Sequence, residues 1–204
     1  MIDKKAMLEA REELPVVGEE RVYKRYLCIW NRQVEYPDGR IIDWDIAGHN
    51  IQIQPCFSVT FPFNTEKKTT TLVIEYAQGV NQLKYTFAAG GFDPKKHKDL
   101  LETAQAELSE EARLKGGEWI ALLPEGHGGI SELKWCRNRF IPYLVLNPQI
   151  DDTPSPRDAE EFMQVIYDVP LDEVRDIVMR GDMMLPSVQT WVMGEAYLRE
   201  HGHI

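Results

Sequence analysis

Residues 88–117 read AAGGFDPKKHKDLLETAQAELSEEARLKGG, and the reading of this stretch decides the fold. From Asp99 onward, Leu100, Leu101, Ala104 and Leu108 recur at the spacing of one helix face. Asp99 followed three residues later by Glu102 resembles a capping box, and Gly116-Gly117 is a stop signal. The pattern predicts a helix over 99–113. Glu107 then lies one turn from both Glu110 and Glu111. Three like charges so close repel, so the patch is stable only when solvated or bridged by a cation. Two readings follow: an acidic solvated face, or a site for Mg²⁺ or Mn²⁺, which take hard oxygen ligands and often share them with substrate phosphates. The Gly90-Gly91 turn upstream would bring backbone close to such a site.

Working outward, Thr70–Tyr76 is the clearest strand, joined through Gln78–Asn81 to a second at Leu83–Phe87. Nearer the N-terminus, Arg21–Trp30 and Gln33–Tyr36 read as strand, and Pro37-Asp38-Gly39 turns the chain back into Arg40–Ile46. Residues 51–63 alternate in part, with Pro55 and Pro62 expected to confine them to edges or bulges. Beyond the glutamates, Trp119–Leu123, Phe140–Leu146 and Phe162–Tyr167 read as strands, and Leu171–Arg180 and Ser187–Glu200 as helices. Residues 3–14 are a helix-compatible arm, and 148–157 a polar loop. The order is mixed α+β rather than alternating βαβ.

A net charge of -10 with no block of Lys and Arg argues against nonspecific nucleic-acid binding. It leaves a small anionic substrate open, because a bound divalent cation reverses the local field. Cys28, Cys56 and Cys136 are too widely spaced for a zinc-ligand pair and read as reduced thiols. The charged first residues contain no apolar signal core, and no run is long enough to span a membrane. The expected compartment is therefore intracellular and cytoplasmic.

The stretch from Ala89-Gly90-Gly91-Phe92-Asp93 to Glu102-Thr103-Ala104-Gln105-Ala106-Glu107-Leu108-Ser109-Glu110-Glu111 resembles the Nudix box. That motif is a Gly-Gly turn, a loop, and a helix ending in Arg-Glu-apolar-x-Glu-Glu. The order of strands on either side is similar too, over roughly residues 20 to 200. Gly39-x4-Trp44-Asp45, Ala89-Gly90 and Glu161-Phe162 are most similar to the ADP-ribose and ADP-sugar pyrophosphatase branch. Four positions depart from the pattern. Ala106 stands where the family has Arg, Lys98 where it has an early Glu, Ala77 where an Arg helps bind substrate, and Thr86 where an acid precedes Ala-Gly. The first two commonly pair with each other in the family, so losing both leaves no orphan charge.

The resemblance implies a Nudix α/β/α sandwich over residues 51–204. Residues 1–50 would be an N-terminal arm and β-rich extension that serves for dimerisation. It implies a Mg²⁺- or Mn²⁺-dependent hydrolase of nucleoside diphosphate-linked compounds, ADP-ribose-like or ADP-sugar-like, acting as a homodimer. Glu107 and Glu111 would be metal ligands with Glu110 assisting in metal binding and catalysis. Glu161, or Glu160 one register away, would act as general base or as a further ligand. Gly90 and Gly91 would admit the substrate, and Trp44 and Tyr26 would stack on its base. Each assignment has a plainer counterpart: a core or interface aromatic for Trp44 and Tyr26, a surface acid for Glu161. The alternative function is a catalytically silent Nudix-fold protein that binds a nucleotide, RNA or a protein partner.

Overall fold

The computed structural model describes residues 2–10, 12–50, 53–157 and 161–204. Its internal contacts divide it into two units, Met1–Gln52 with Leu133–Asn138, and Ile53–Glu132 with Arg139–Ile204. In the first, helix α1 (Lys4–Glu9) is capped by Asp3, whose carboxylate accepts from the N–H groups of Lys5 and Ala6. It is shorter than the arm expected over 3–14. Strands β1 (Val16–Lys24), β2 (Leu27–Glu35) and β3 (Ile41–His49) follow as an antiparallel sheet. The strand expected over Arg21–Trp30 is two strands. The chain reverses at Arg25-Tyr26, where Arg25 N–H donates to the Leu27 carbonyl at 2.9 Å. No Gly or Pro marks that turn, so the apolar pattern runs through it unbroken. The Pro37-Asp38-Gly39 turn forms as expected, with Gly39 at φ +81° and Tyr36 N–H bonded to the Arg40 carbonyl at 2.8 Å. The short segment 133–138 belongs here as well. Ala47 N–H donates to Trp135 O, Arg137 N–H to Ala47 O, and His49 N–H to the Asn138 side chain.

The second unit holds β4 (Phe57–Asn64), β5 (Thr69–Ala77), β6 (Gln82–Thr86), β7 (Ala88–Gly91), α2 (Leu100–Ala112), β8 (Leu114–Lys115), β9 (Glu118–Ala121), β10 (Ile130–Ser131), β11 (Arg139–Leu146), β12 (Gln149–Ile150), β13 (Met163–Pro170), α3 (Leu171–Met179) and α4 (Leu185–Glu200). The main sheet runs β10-β11-β4-β5-β13, with β9 on β11, β6 on β5 and β7 on β4. β4 and β11 are parallel; the other pairs are antiparallel.

Side-chain alternation shows why the sheet is covered on both faces. Val59, Phe61 and Phe63 of β4, Leu72 of β5, and Leu144 and Leu146 of β11 pack with Val174 and Ile177 of α3 and Trp191 and Leu198 of α4. The residues between them, Val73 of β5 and Val145 of β11, pack with Leu108 and Ala112 of α2. A β-carbon on Gly194 would overlap the Phe61 ring, so glycine there lets α4 lie close to the sheet. The result is a mixed α+β sandwich with helices on either side of one sheet.

Pro62 was expected at an edge or bulge, yet β4 lies inside the sheet. The explanation lies in a change of partner. Residues 57–60 pair with β7, whereas Phe63 and Asn64 pair with β5. Pro62, which has no N–H to give, stands in the interval. β4 and β5 are thus joined at one end and part at the other, where β6 lines β5 and β7 lines β4.

Helix α2 begins with the N-cap bond of a capping box, while the return bond goes one residue before the cap. Asp99 Oδ1 accepts from Glu102 N–H at 2.8 Å, and Glu102 Oε2 reaches back to Lys98 N–H at 2.6 Å. It ends earlier than the Gly116-Gly117 stop, with Arg113 in the left-handed region at φ +59°. Within the loop read over 148–157, Gln149 and Ile150 form the short strand β12 against β8. Cys28, Cys56 and Cys136 carry free thiols. Among the described residues, no helix is long and apolar enough to cross a membrane.

Candidate active site

The part of the sheet where β4 and β5 diverge is where the acidic residues gather. Gly90 faces α2, because a β-carbon there would overlap the Glu107 carboxyl group. Glycine is therefore what allows that carboxyl to lie on the β7 backbone. One turn on, Glu111 is 5% exposed and its Oε2 accepts from Ala89 N–H at 2.7 Å. Gly91 ends β7 opposite Phe57, with an exposed edge. Glu110, the next helical position, is half-buried.

Two acids come from other strands. Glu75 has the same parity on β5 as Val73, which packs against α2, so it points to the α2 face. Glu161 lies two residues before β13. There Met163 pairs with Glu75, and Tyr76 N–H donates to the Phe162 carbonyl at 3.1 Å. Burial raises the Glu111 carboxyl well above the usual carboxylate range, and the charges of Glu107, Glu75 and Glu161 raise it further; the bond from Ala89 N–H works the other way. Burial also raises Glu75, helped by Glu161. These four side chains share one electrostatic environment.

The segment leading toward Glu161 is tied to the helix. Ser109 Oγ donates to Asp151 Oδ2 at 2.7 Å, and Lys115 Nζ bonds Asp151 Oδ1 at 2.9 Å. Lys115, then Ser109 and Thr153 N–H, hold the Asp151 carboxyl down at about 2. Arg113 donates to Ser155 O at 2.8 Å, and Arg157 to the Glu111 carbonyl at 2.7 Å. The last bond satisfies a terminal carbonyl of α2.

Glu75 is the acid that sequence reasoning missed. Its signal was a charged residue inside Thr70–Tyr76, on the face that Val73 buries. Glu160 lies outside the described residues. Trp44, on β3, and Tyr26, in the turn between β1 and β2, belong to the first unit, while the carboxylates belong to the second. Trp44 is 41% exposed and Tyr26 79% exposed. The Lys134 ammonium lies 5.9 Å from the Trp44 ring centre, and Tyr26 meets His49 edge-on. Two departures from the Nudix pattern have local structural roles. Thr86 is buried and its hydroxyl pairs with Ser187 Oγ at 2.8 Å, which also accepts from Phe87 N–H. Ala77 is buried at the end of β5.

The donor set is entirely carboxylate oxygen, which suits a hard divalent cation. Among the described residues, no three His, Cys, Asp or Glu side chains converge into a ready cation cage. Mg²⁺ does not need one, because it usually takes one or two carboxylates and completes its shell with water and substrate phosphates. Glu107 and Glu111 could supply those two.

A solved structure described as an ADP compounds hydrolase has the same fold. It matches with a TM-score of 0.73 over 95% of this chain and 98% of that one, at 16% sequence identity. No protein-family model matches the chain, and no curated protein matches it in sequence.

Proposed function

We propose that the chain is a Mg²⁺- or Mn²⁺-dependent hydrolase of nucleoside diphosphate-linked compounds of the ADP-ribose or ADP-sugar kind. The observation that carries this reading is Glu111: nearly buried, fixed by Ala89 N–H, and raised by Glu107, Glu75 and Glu161. Carboxylates brought together this way favour a bound cation or a proton over separate negative charges. The Nudix-box resemblance supplies the substrate class, and the solved ADP compounds hydrolase of the same fold agrees with it.

Glu107 and Glu111 would hold the cation, with Glu110 assisting. When bound, Mg²⁺ or Mn²⁺ draws charge from the phosphoryl oxygens and makes a nearby water more acidic. Glu161 would accept a proton from the attacking water as it adds to phosphorus and the bridging P–O bond breaks. Gly90 gives its space to the Glu107 carboxyl, and Gly91 leaves the end of the β7 backbone bare for the approaching diphosphate. Trp44 and Tyr26 offer aromatic faces for the base. Holding and neutralising the diphosphate would supply most of the acceleration. In this reading 51–204 is the catalytic domain and 1–50 the dimerisation element.

A panel of nucleoside diphosphate compounds with Mg²⁺ and with Mn²⁺, read by coupled phosphate release, tests it. Glu111→Gln should lower kcat on the best substrate by about 10²-fold or more. Glu66→Gln, on the exposed turn after β4, should leave turnover unchanged. No turnover across the panel would favour the silent, ligand-binding reading, to which Ala106 and Lys98 already lean.

A further inference from the structure

Lys134, Arg137 and Arg139 are close in sequence, but the structure separates their roles. The Arg137 guanidinium carbon lies 4.5 Å from the Trp30 ring centre, and its Nη1 3.9 Å from Glu19. Lys134 lies over Trp44. Both cations are thus held on aromatic faces within the first unit. Arg139 opens β11 in the second unit, and its side chain is exposed. Its main chain is committed: the N–H donates to Gln54 Oε1 at 2.8 Å, and the carbonyl accepts from Cys56 N–H at 2.9 Å.

Alternation fixes the face on which Arg139 lies. Val145 packs against α2, so 139, 141, 143 and 145 share that side. Tyr143 agrees, since the charge of Asp99 at the start of α2 acts on its hydroxyl. Register fixes the end of the sheet. Phe140 pairs with Phe57, and Phe57 with Gly91; one step beyond, Phe92 N–H donates to the Cys56 carbonyl. Arg139 therefore lies two strand spacings, roughly 10 Å, from the backbone that follows Gly90. It is on the face and at the end that carry Glu75, Glu107 and Glu111. A β-carbon on Gly128 would lie 3.2 Å from Arg139 Nη1, so glycine there lets the guanidinium rest along the backbone before β10.

We propose that Arg139 binds the phosphate farther from the carboxylates and so makes a second phosphate a requirement of this site. The inference rests on the diphosphate reading above and adds the residue that recognises the diphosphate. A guanidinium presents two parallel N–H donors to phosphate oxygens, and across such a gap the cation-bound phosphate and its neighbour span from the glutamates to the arginine.

The test is calorimetric titration of the full chain with α,β-methylene-ADP and with AMP, both in excess Mg²⁺. Arg139→Ala should weaken the diphosphate analogue about tenfold or more and AMP less than about twofold. Arg139→Lys should fall between, because lysine keeps the charge but not the fork. Mg²⁺ affinity in the absence of nucleotide should not change. Arg180→Ala, which removes the same charge from the end of α3, is the control and should bind like wild type. The assignment is overturned by unchanged analogue binding in Arg139→Ala, by equal losses for AMP and the analogue, or by a wild type that does not bind the analogue. Arg139-dependent binding without turnover would instead sink the hydrolase reading and leave Arg139 in place.

Discussion

Burial and three neighbouring carboxylates raise the proton affinity of Glu111, while Ala89 N–H lowers it. The direction has a consequence for stability. A group whose pKa is higher in the folded state contributes fully below its unfolded value, about 4.3 for Glu, and loses that contribution as pH rises through the folded value. The metal-free fold therefore weakens at this position between the acid range and pH 8. Glu111→Gln keeps an oxygen for Ala89 N–H and removes the titration. In EDTA the variant should melt above wild type at pH 8, with the gap closing toward pH 4. Added Mn²⁺ should raise the melting point of wild type and leave the variant nearly unmoved. A variant melting below wild type at pH 8 in EDTA would refute the assignment. Glu107, Glu110 and Glu111 were legible in the sequence because helical spacing alone brings them together. Glu75 was not, because only the pairing of β5 with β13 and the packing of α2 across the sheet bring it to the helix glutamates.

Among the elements, α2 was the most legible, since capping residues, apolar spacing and length all agreed. Its packing predicts a hierarchy of effects. Leu108 is fully buried against Val73, Ala88 and Val145, whereas Asp99 supplies a single capping bond. Leu108→Ala should cost about 2–5 kcal/mol, and Asp99→Ala about 1 kcal/mol. Urea unfolding measures both, with the slope unchanged. Equal losses would mean that α2 is held by its end and not by its face. The strands were read less well where local rules met tertiary context. Pro62 argued for an edge because proline lacks a donor, and the change of partner on β4 supplies a place where none is needed. The reversal at Arg25-Tyr26 uses no turn residue, so the apolar run gave no sign of it. β8 and β12 pair over only two residues each, too few to leave a pattern in the sequence.

At the scale of the whole molecule, the sandwich was legible through the resemblance, and among the strands only β11, apolar at every position after Arg139, reads as one covered on both sides; β4 and β5 carry Ser58, Thr60, Thr70 and Thr71 at buried positions. Assembly is a separate matter, and here the first unit carries the expectation. Val16, Val22, Leu27 and Ile41 are each between 45% and 58% exposed on one three-stranded sheet. So much apolar surface on a small sheet is suited to burial against a second copy. Multi-angle light scattering at micromolar concentration should give twice the chain mass, and Val22→Asp should reduce it to one. A wild-type monomer would remove the dimer from the proposal. The parting of β4 and β5 reaches further than the site it frames. Glu111 is gripped there by the main-chain N–H of residue 89, a group that every amino acid except proline supplies. Such a grip is not spelled by any one codon. A lineage can rewrite most of its letters, keep only the rhythm of large and small along three strands, and still hand down a carboxylate fixed in the same place.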